Sequence, residues 1–203
     1  MPTSRRTRRA GGTRRTAVLE TAAEVLAERG YENTRYSDVS MTSGVAVSTL
    51  QNYFGSREDM LIETMQHAID VELVALNAVA DSEGDPWNRL VTLIDRNLNT
   101  PIHNHQLLIE FWRAAIRDGE LRDYAQEHWA SYRTPFLETV VEGCSGGAFT
   151  PSLSPDEVVD LLLAALAGAM LPRVMHFPTP TADRVRTALL HQVAQMLGRT
   201  GYR

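Results

Sequence analysis

The apolar residues of this 203-residue chain recur at helical spacing from one end to the other, and nowhere do they alternate with a sustained period of two. The spacing predicts an all-α protein of about nine helices. Leu19, Ala22, Ala23 and Leu26 stand at i, i+3, i+4 and i+7 in a first helix expected over residues 16–29, with Gly30 as its left-handed stop. Two short pieces follow, Tyr36–Ser43 and Val47–Phe54, on either side of Gly44. Two helices of about two turns joined around a glycine describe a helix-turn-helix, because glycine takes the positive φ of so tight a turn at no steric cost.

The remaining helices are marked by their ends. The Ser56 hydroxyl is placed to cap the Asp59 amide, and Glu58 and Asp59 suit the positive end of the helix dipole, so a long helix is expected through Leu61, Met65, Ile69 and Leu76 to about residue 80. Pro86 opens the next, over 86–98, and others are expected over 104–117 and 121–142, where Pro135 should kink or interrupt the last. A loop over 143–154 contains Gly146, Gly147 and Pro151. Ser154, Pro155, Asp156 and Glu157 then start a helix running to about 171, and Thr181 opens a final one ending near 197.

Composition narrows the class. With 43% hydrophobic residues, the chain can build one or two small domains without disulfide or metal staples. The longest apolar run, 158–171, is interrupted by Asp160 and falls short of the roughly 18 residues a membrane span needs, so no membrane partner is expected. The N-terminal arginines have no apolar stretch behind them, which fails the signal-peptide pattern and implies a cytoplasmic location. Cys144 is the single cysteine, excluding an intrachain disulfide, a zinc finger and a CxxC motif. No cofactor is expected. His103 and His105 lie two apart and point to different helix faces, so no metal pair is expected either.

The net charge of -5 is unevenly spread. Residues 1–60 hold 9 Arg against 7 Asp plus Glu, a balance of +2, whereas residues 61–203 hold 11 against 18, a balance of -7. The first 15 residues contain Arg5, Arg6, Arg8, Arg9, Arg14 and Arg15 and no acid. They read as a disordered basic arm suited to a polyanion, nucleic acid foremost, or else as a solubilising tail. The organisation expected is thus a basic arm (1–15), a helix-turn-helix domain (16–58) and an acidic remainder (59–203).

The stretch 30–61, GYENTRYSDVSMTSGVAVSTLQNYFGSREDML, resembles the DNA-binding module of the TetR family of bacterial transcriptional regulators. The resemblance rests on Gly30-Tyr31, Asp38-Val39, Gly44-Val45, Ser48-Thr49-Leu50, Tyr53-Phe54 and Ser56-Arg57-Glu58. It implies a fold of about nine helices, a homodimer formed through the last two, a small-molecule pocket among the middle ones, and backbone contacts to DNA from Tyr53 and Arg57. From the residues themselves, Val39, Val45, Leu50 and Phe54 are spaced to close a small core against Leu19, Ala22 and Leu26. The N-terminal residues of the second helix of such a motif reach base edges, which makes Val47, Ser48, Thr49 and Asn52 the reading candidates, Val47 against a thymine methyl. Ser37, Tyr53 and Arg57 are better placed for phosphate, which sets register without carrying sequence information. Three positions depart from the family pattern. Gln51 replaces an aromatic residue and can read adenine through its amide, Arg35 replaces a small hydroxyl residue and adds a phosphate contact, and Ser37 stands where arginine is frequent.

The acidic remainder is unsuited to DNA, which leaves regulation. Leu162, Ala165, Leu166 and Ala169 form an apolar stripe on the eighth helix, and Val185, Leu189, Gln192, Val193 and Met196 one on the ninth. Two such helices from each subunit make a four-helix bundle. Trp112, Trp129, Tyr132 and Phe136 are candidate pocket walls, with His105 or His128 as a polar anchor. The function expected is a repressor that binds a palindromic operator as a dimer and is released by a small apolar or aromatic effector. The alternative, a helical enzyme using the aromatic cavity, has little behind it: the chain has no phosphate loop or paired-histidine motif, and nothing in the sequence brings Glu110, Asp123 and His128 together.

Overall fold

The computed structural model describes residues 12–178 and 180–199. Among them are nine helices: α1 (Thr13–Arg29), α2 (Tyr36–Ser43), α3 (Val47–Phe54), α4 (Arg57–Ala80), α5 (Pro86–Leu98), α6 (Ile102–Ala115), α7 (Gly119–Ser145), α8 (Pro155–Val174) and α9 (Ala182–Met196). The caps follow the expected chemistry. Ser56 Oγ accepts from the Asp59 amide at 3.0 Å, and at the start of α8 the Ser154 and Glu157 side chains and amides bond reciprocally.

Residues 1–11 of the expected basic arm lie outside the described residues, and 13–15 are the first turn of α1 instead of arm. Arg15 is turned back onto the subunit, where its guanidinium pairs with Glu63 of α4 and sits 4.7 Å from the Phe54 ring centroid. Pro135 does not interrupt α7. The proline itself is buried, its carbonyl accepts from Thr139 Oγ1 at 2.7 Å, and the Ser131 carbonyl it leaves without an amide partner belongs to an exposed residue that water can reach. Pro172 likewise lies inside α8, which runs three residues past its expected end.

The core has two parts. One closes α1, α2 and α3 through Leu19, Leu26, Val39, Leu50 and Phe54, and continues through Met60 and Met65 of α4 to Leu107 and Phe111 of α6 and Leu121 of α7. The other joins Leu76, Leu90, Ile94, Phe136, Leu162, Leu166, Leu189 and Val193. Residues 16–58 therefore have no core of their own, and α4 and α7 run through both parts. Across the surface, Arg186 grips Asp95 with bonds of 2.5 and 2.7 Å, and Arg133 joins α7 to Asp156 and Asp160 of α8.

The stripes expected to pair two subunits are partly turned inward. Leu162, Leu166, Leu189 and Val193 belong to the subunit's own core, while Ala169, Val185 and Met196 are half-buried against it. Ala165 and Gln192 are exposed. The solvent face of α8 is instead Leu161, Ala164, Ala165, Gly168 and Leu171, continued by Met175, and on α9 it is Ala188, His191, Gln192 and Gln195. Because α8 is apolar on nearly every side, no single stripe marks its inner face.

Candidate functional site

The α2–α3 unit turns at Gly44, whose φ of 66° and ψ of 15° are left-handed. Val39, Val45, Leu50 and Phe54 point into the core, as their spacing predicts. The opposite side of α3 presents Val47, Ser48, Gln51 and Asn52 to solvent, with Thr49 and Tyr53 half-exposed. Arg35 and Ser37 are also exposed at the start of α2. The Arg35 amide donates to Asp38 Oδ2 at 2.8 Å, so Asp38 takes the capping role that the arginine side chain leaves open, and Asp38 pairs with Arg29 at 3.1 Å.

Arg57 is bonded within the module. Its Nε donates to the Thr34 carbonyl at 2.5 Å, a second guanidinium nitrogen donates to the Tyr31 carbonyl, and a third pairs with Glu58. The guanidinium also lies 5.5 Å from the Tyr31 ring centroid. These carbonyls belong to the turn between α1 and α2, which has no helical partner to offer them, and Arg57 supplies it. The side chain thereby braces the α1–α2 turn against the start of α4.

A cavity of about 120 Å3 lies among α4, α5, α6, α7 and α8. Five of the six residues expected around a ligand line it: His105, Trp112, His128, Trp129 and Tyr132. Phe136 does not; it is fully buried one turn further along α7, against Tyr132 at 5.7 Å between ring centroids. Trp129 stacks on Tyr132 at 6.2 Å and 27°, and Asn97 donates to the Tyr132 hydroxyl. Burial raises the Tyr132 phenol well above its ordinary range. His105 is 5% exposed, and burial, reinforced by Arg173, pulls its pKa down to about 4. Burial also lowers His128, against the pull of Asp70.

Sequence reasoning missed two walls. One is Met65, Ala68, Ile69 and Glu72 of α4; the other is Leu163, Leu166, Ala167 and Met170 of α8. Leu166, expected between subunits, is thus a cavity residue. The α4 wall carried a legible signal, a single acid on the stripe 65, 68, 69, 72 that is otherwise apolar. Glu72 is held by Arg96 through two bonds of 2.9 Å.

The cavity and the helix-turn-helix share α6. It gives His105, Leu108, Phe111 and Trp112 to the cavity, and Glu110 on the same helix accepts from the Tyr31 backbone N–H at 3.1 Å. Arg113 holds that carboxylate at 2.8 Å and reaches Glu32 at 3.8 Å. Glu110, which an enzyme reading would set beside His128, is therefore engaged at the α1–α2 turn. No helix of the described residues is long and apolar enough to cross a membrane.

Comparison with known proteins agrees with this geometry. Residues 18–64 match the family profile of the bacterial regulatory proteins, tetR family, and residues 86–198 match that of the BetI-type transcriptional repressor, C-terminal. The chain is 25% identical over 147 residues to the transcriptional repressor KstR2 of Mycolicibacterium smegmatis, covering 71% of this chain and 72% of that protein. It shares the fold of a Saccharomonospora viridis protein solved in complex with choline, with a TM-score of 0.80, 23% identity, and 89% and 95% of the two chains covered. It also shares the fold of Bacillus subtilis FadR in complex with stearoyl-CoA, with a TM-score of 0.70, 19% identity, and 91% and 98% covered. With both halves matched and a helix-turn-helix presented on the surface, the chain belongs to the TetR family of bacterial transcriptional regulators.

Proposed function

We propose that the protein is a homodimeric repressor that inserts α3 into successive major grooves of a palindromic operator and is released when a small apolar or aromatic effector fills the α4–α8 cavity. The observation that carries this reading is that one helix, α6, both walls the cavity and is bonded through Glu110 to the turn leading into α2. A ligand that favours one position of α6 thereby has a direct mechanical link to the reading heads. Release requires only that the effector bind one arrangement better than the other.

In this reading Val47, Ser48, Thr49, Gln51 and Asn52 meet base edges while Arg35, Ser37 and Tyr53 meet phosphates, supported by their exposure on one module. Two subunits pair through the exposed faces of α8 and α9 and the segment after α8, where Leu161, Leu171, Met175 and Phe177 are each more than half exposed in the single subunit. Pairing of half-sites about 34–36 Å apart then sets the operator spacing. Proteins of the same fold solved with choline and with stearoyl-CoA support a ligand-holding cavity.

Fluorescence anisotropy against DNA from upstream of its own gene tests the proposal. The expected outcome is saturable binding of two subunits per palindrome that weakens steeply with salt, since phosphate contacts release counterions. Affinity that is the same for a scrambled palindrome, or indifferent to salt, rejects it.

A further inference from the structure

The described part of the helix-turn-helix module is short of positive charge. Residues 12–60 hold 5 Arg against 7 Asp plus Glu, a balance of -2. Three of those arginines are already paired, Arg15 with Glu63, Arg29 with Asp38 at 3.1 Å and Arg57 with Glu58 at 3.1 Å. Arg14 and Arg35 are exposed, but so are Glu20, Glu24 and Glu28, which share one side of α1 at four-residue intervals. With a further -7 on residues 61–203, this body meets a polyanion with the wrong sign. The positive balance of the first 60 residues therefore comes from residues 1–11, where Arg5, Arg6, Arg8 and Arg9 stand with no acid among them.

The start of α1 fixes where that segment joins the module. Arg15 lies 4.7 Å from the Phe54 ring centroid and pairs with Glu63, so the first turn of α1 is held against the C-terminal end of α3 and against α4. Tyr53, half-exposed and 6.1 Å from Phe54 between ring centroids, belongs to the same end of α3. Gly12, the N-cap of α1, is exposed, and among the described residues nothing lies within 4 Å of where its Cβ would stand. The segment ahead of it begins beside the reading helix.

Resting on the reading of α3 as the operator-reading helix, we infer that residues 1–11 are a second DNA-binding element, taken up by the minor groove that flanks the major groove α3 enters. Eleven residues span as much as about 36–40 Å, and neighbouring major and minor grooves lie roughly 17 Å apart, half a helical repeat. The minor groove is only about 6 Å wide, and apart from its arginines the stretch 2–11 carries nothing bulkier than proline and threonine. Arginine suits that groove, whose negative potential is strongest where A·T runs narrow it. Four guanidinium groups from each subunit supply the counterion release that the described module, with its negative balance, lacks.

A salt series of full-chain affinities for DNA from upstream of its own gene tests the inference. Two variants are compared with the wild type: Arg5→Gln, Arg6→Gln, Arg8→Gln and Arg9→Gln combined, and the same four positions changed to lysine. Both keep the length of the segment. In the glutamine variant the slope of log affinity against log salt should fall by about 3.6 per subunit, about 0.9 for each arginine. The lysine variant should keep the wild-type slope. Dimethyl sulfate then locates the contact, since it methylates guanine N7 in the major groove and adenine N3 in the minor groove. At saturation the wild type should protect both kinds of site, and the glutamine variant guanine N7 alone. An unchanged slope in the glutamine variant overturns the inference and leaves the segment a solubilising tail. A reduced slope with adenine N3 equally reactive in free and wild-type-bound DNA puts the arginines on phosphates and overturns the minor-groove placement. The same loss of slope in the lysine variant overturns the argument from charge. A wild-type chain that binds this DNA at no salt concentration overturns the operator reading itself, an outcome distinct from the other three.

Discussion

Glu110 of α6 accepts a hydrogen bond from the backbone N–H of Tyr31 at 3.1 Å, so the helix that walls the cavity is tied to the turn between α1 and α2. Gly30, which ends α1, lies close enough that a Cβ there would stand 3.8 Å from the same carboxylate. The contact links cavity to reading head without passing through the solvent-exposed side of α3. Glu110→Ala should cost about 1.5–3 kcal/mol of stability, the range for a bond to a charged group. It should also reduce the effector's ability to lower operator affinity while leaving effector binding to the free protein nearly unchanged. Parallel titrations of effector with and without DNA would measure both quantities, and an unaltered ratio of operator affinities would show that coupling runs elsewhere.

Acid should weaken the fold through the cavity histidines. His105 has its pKa lowered from 6.5 to about 4, so between these values the unfolded chain holds a proton that the folded chain excludes. The stabilisation is complete above about pH 6.5, declines as pH falls, and is gone near pH 4, amounting to at most about 3 kcal/mol for a shift of this size. His128 acts in the same direction. Urea midpoints should therefore drop between pH 7 and pH 5, and His105→Leu should flatten that slope even if it changes the midpoint at pH 7.

Neighbouring leucines on α8 should behave oppositely. Leu161 is 53% exposed and Leu162 is 1% exposed. Leu162→Ala should lower stability by about 2–5 kcal/mol, as for other buried leucines, and leave the association state of the folded protein alone. Leu161→Asp should do the reverse, lowering the sedimentation-velocity mass toward that of one subunit with little loss of subunit stability. If both variants remain dimers, the α8 face is not the interface.

These two residues also illustrate what could be read from the residues alone. The positions Val39, Val45, Leu50 and Phe54 were legible as a core because α2 and α3 are short and each has a single apolar side. The aromatic stripe of α7 was legible for the same reason, though it ran one turn too far and took in Phe136. On α8 the pattern gives no direction, since Leu161, Leu162 and Leu163 follow one another and only packing against the neighbouring helices decides which faces inward. For Arg57, whose position resembles a phosphate contact, nothing local announces that the carbonyls of Tyr31 and Thr34 take a donor from α4. The cavity walls from α4 and α8 depend on contacts between helices far apart in sequence, which periodicity within one helix cannot express.

Specificity should lie in α3. Gln51 and Asn52 are exposed on its outer side, and an amide paired with adenine is worth about 1–3 kcal/mol against the wrong base. Gln51→Ala should relax preference at one symmetric pair of operator positions while retaining most non-specific affinity, and selection from a randomised palindrome would reveal which pair. Uniform weakening across all sequences would instead mark Gln51 as a backbone contact.

Arg57 separates structural from phosphate roles most sharply. If the side chain is committed to the Tyr31 and Thr34 carbonyls, Arg57→Ala removes two charge-assisted bonds and leaves the acceptor of the buried Thr34 behind, costing about 1–3 kcal/mol. For a chain of this length that is a fall in melting temperature of about 2–4 °C per kcal/mol. The salt dependence of operator binding should be unchanged, because no phosphate contact is lost. A phosphate contact would behave differently, its removal reducing the slope of log affinity against log salt by about 0.9 per contact at each half-site. Measuring that slope for the wild type and for Arg57→Ala, at a temperature where both are folded, distinguishes the two, and a reduced slope would return Arg57 to the DNA interface.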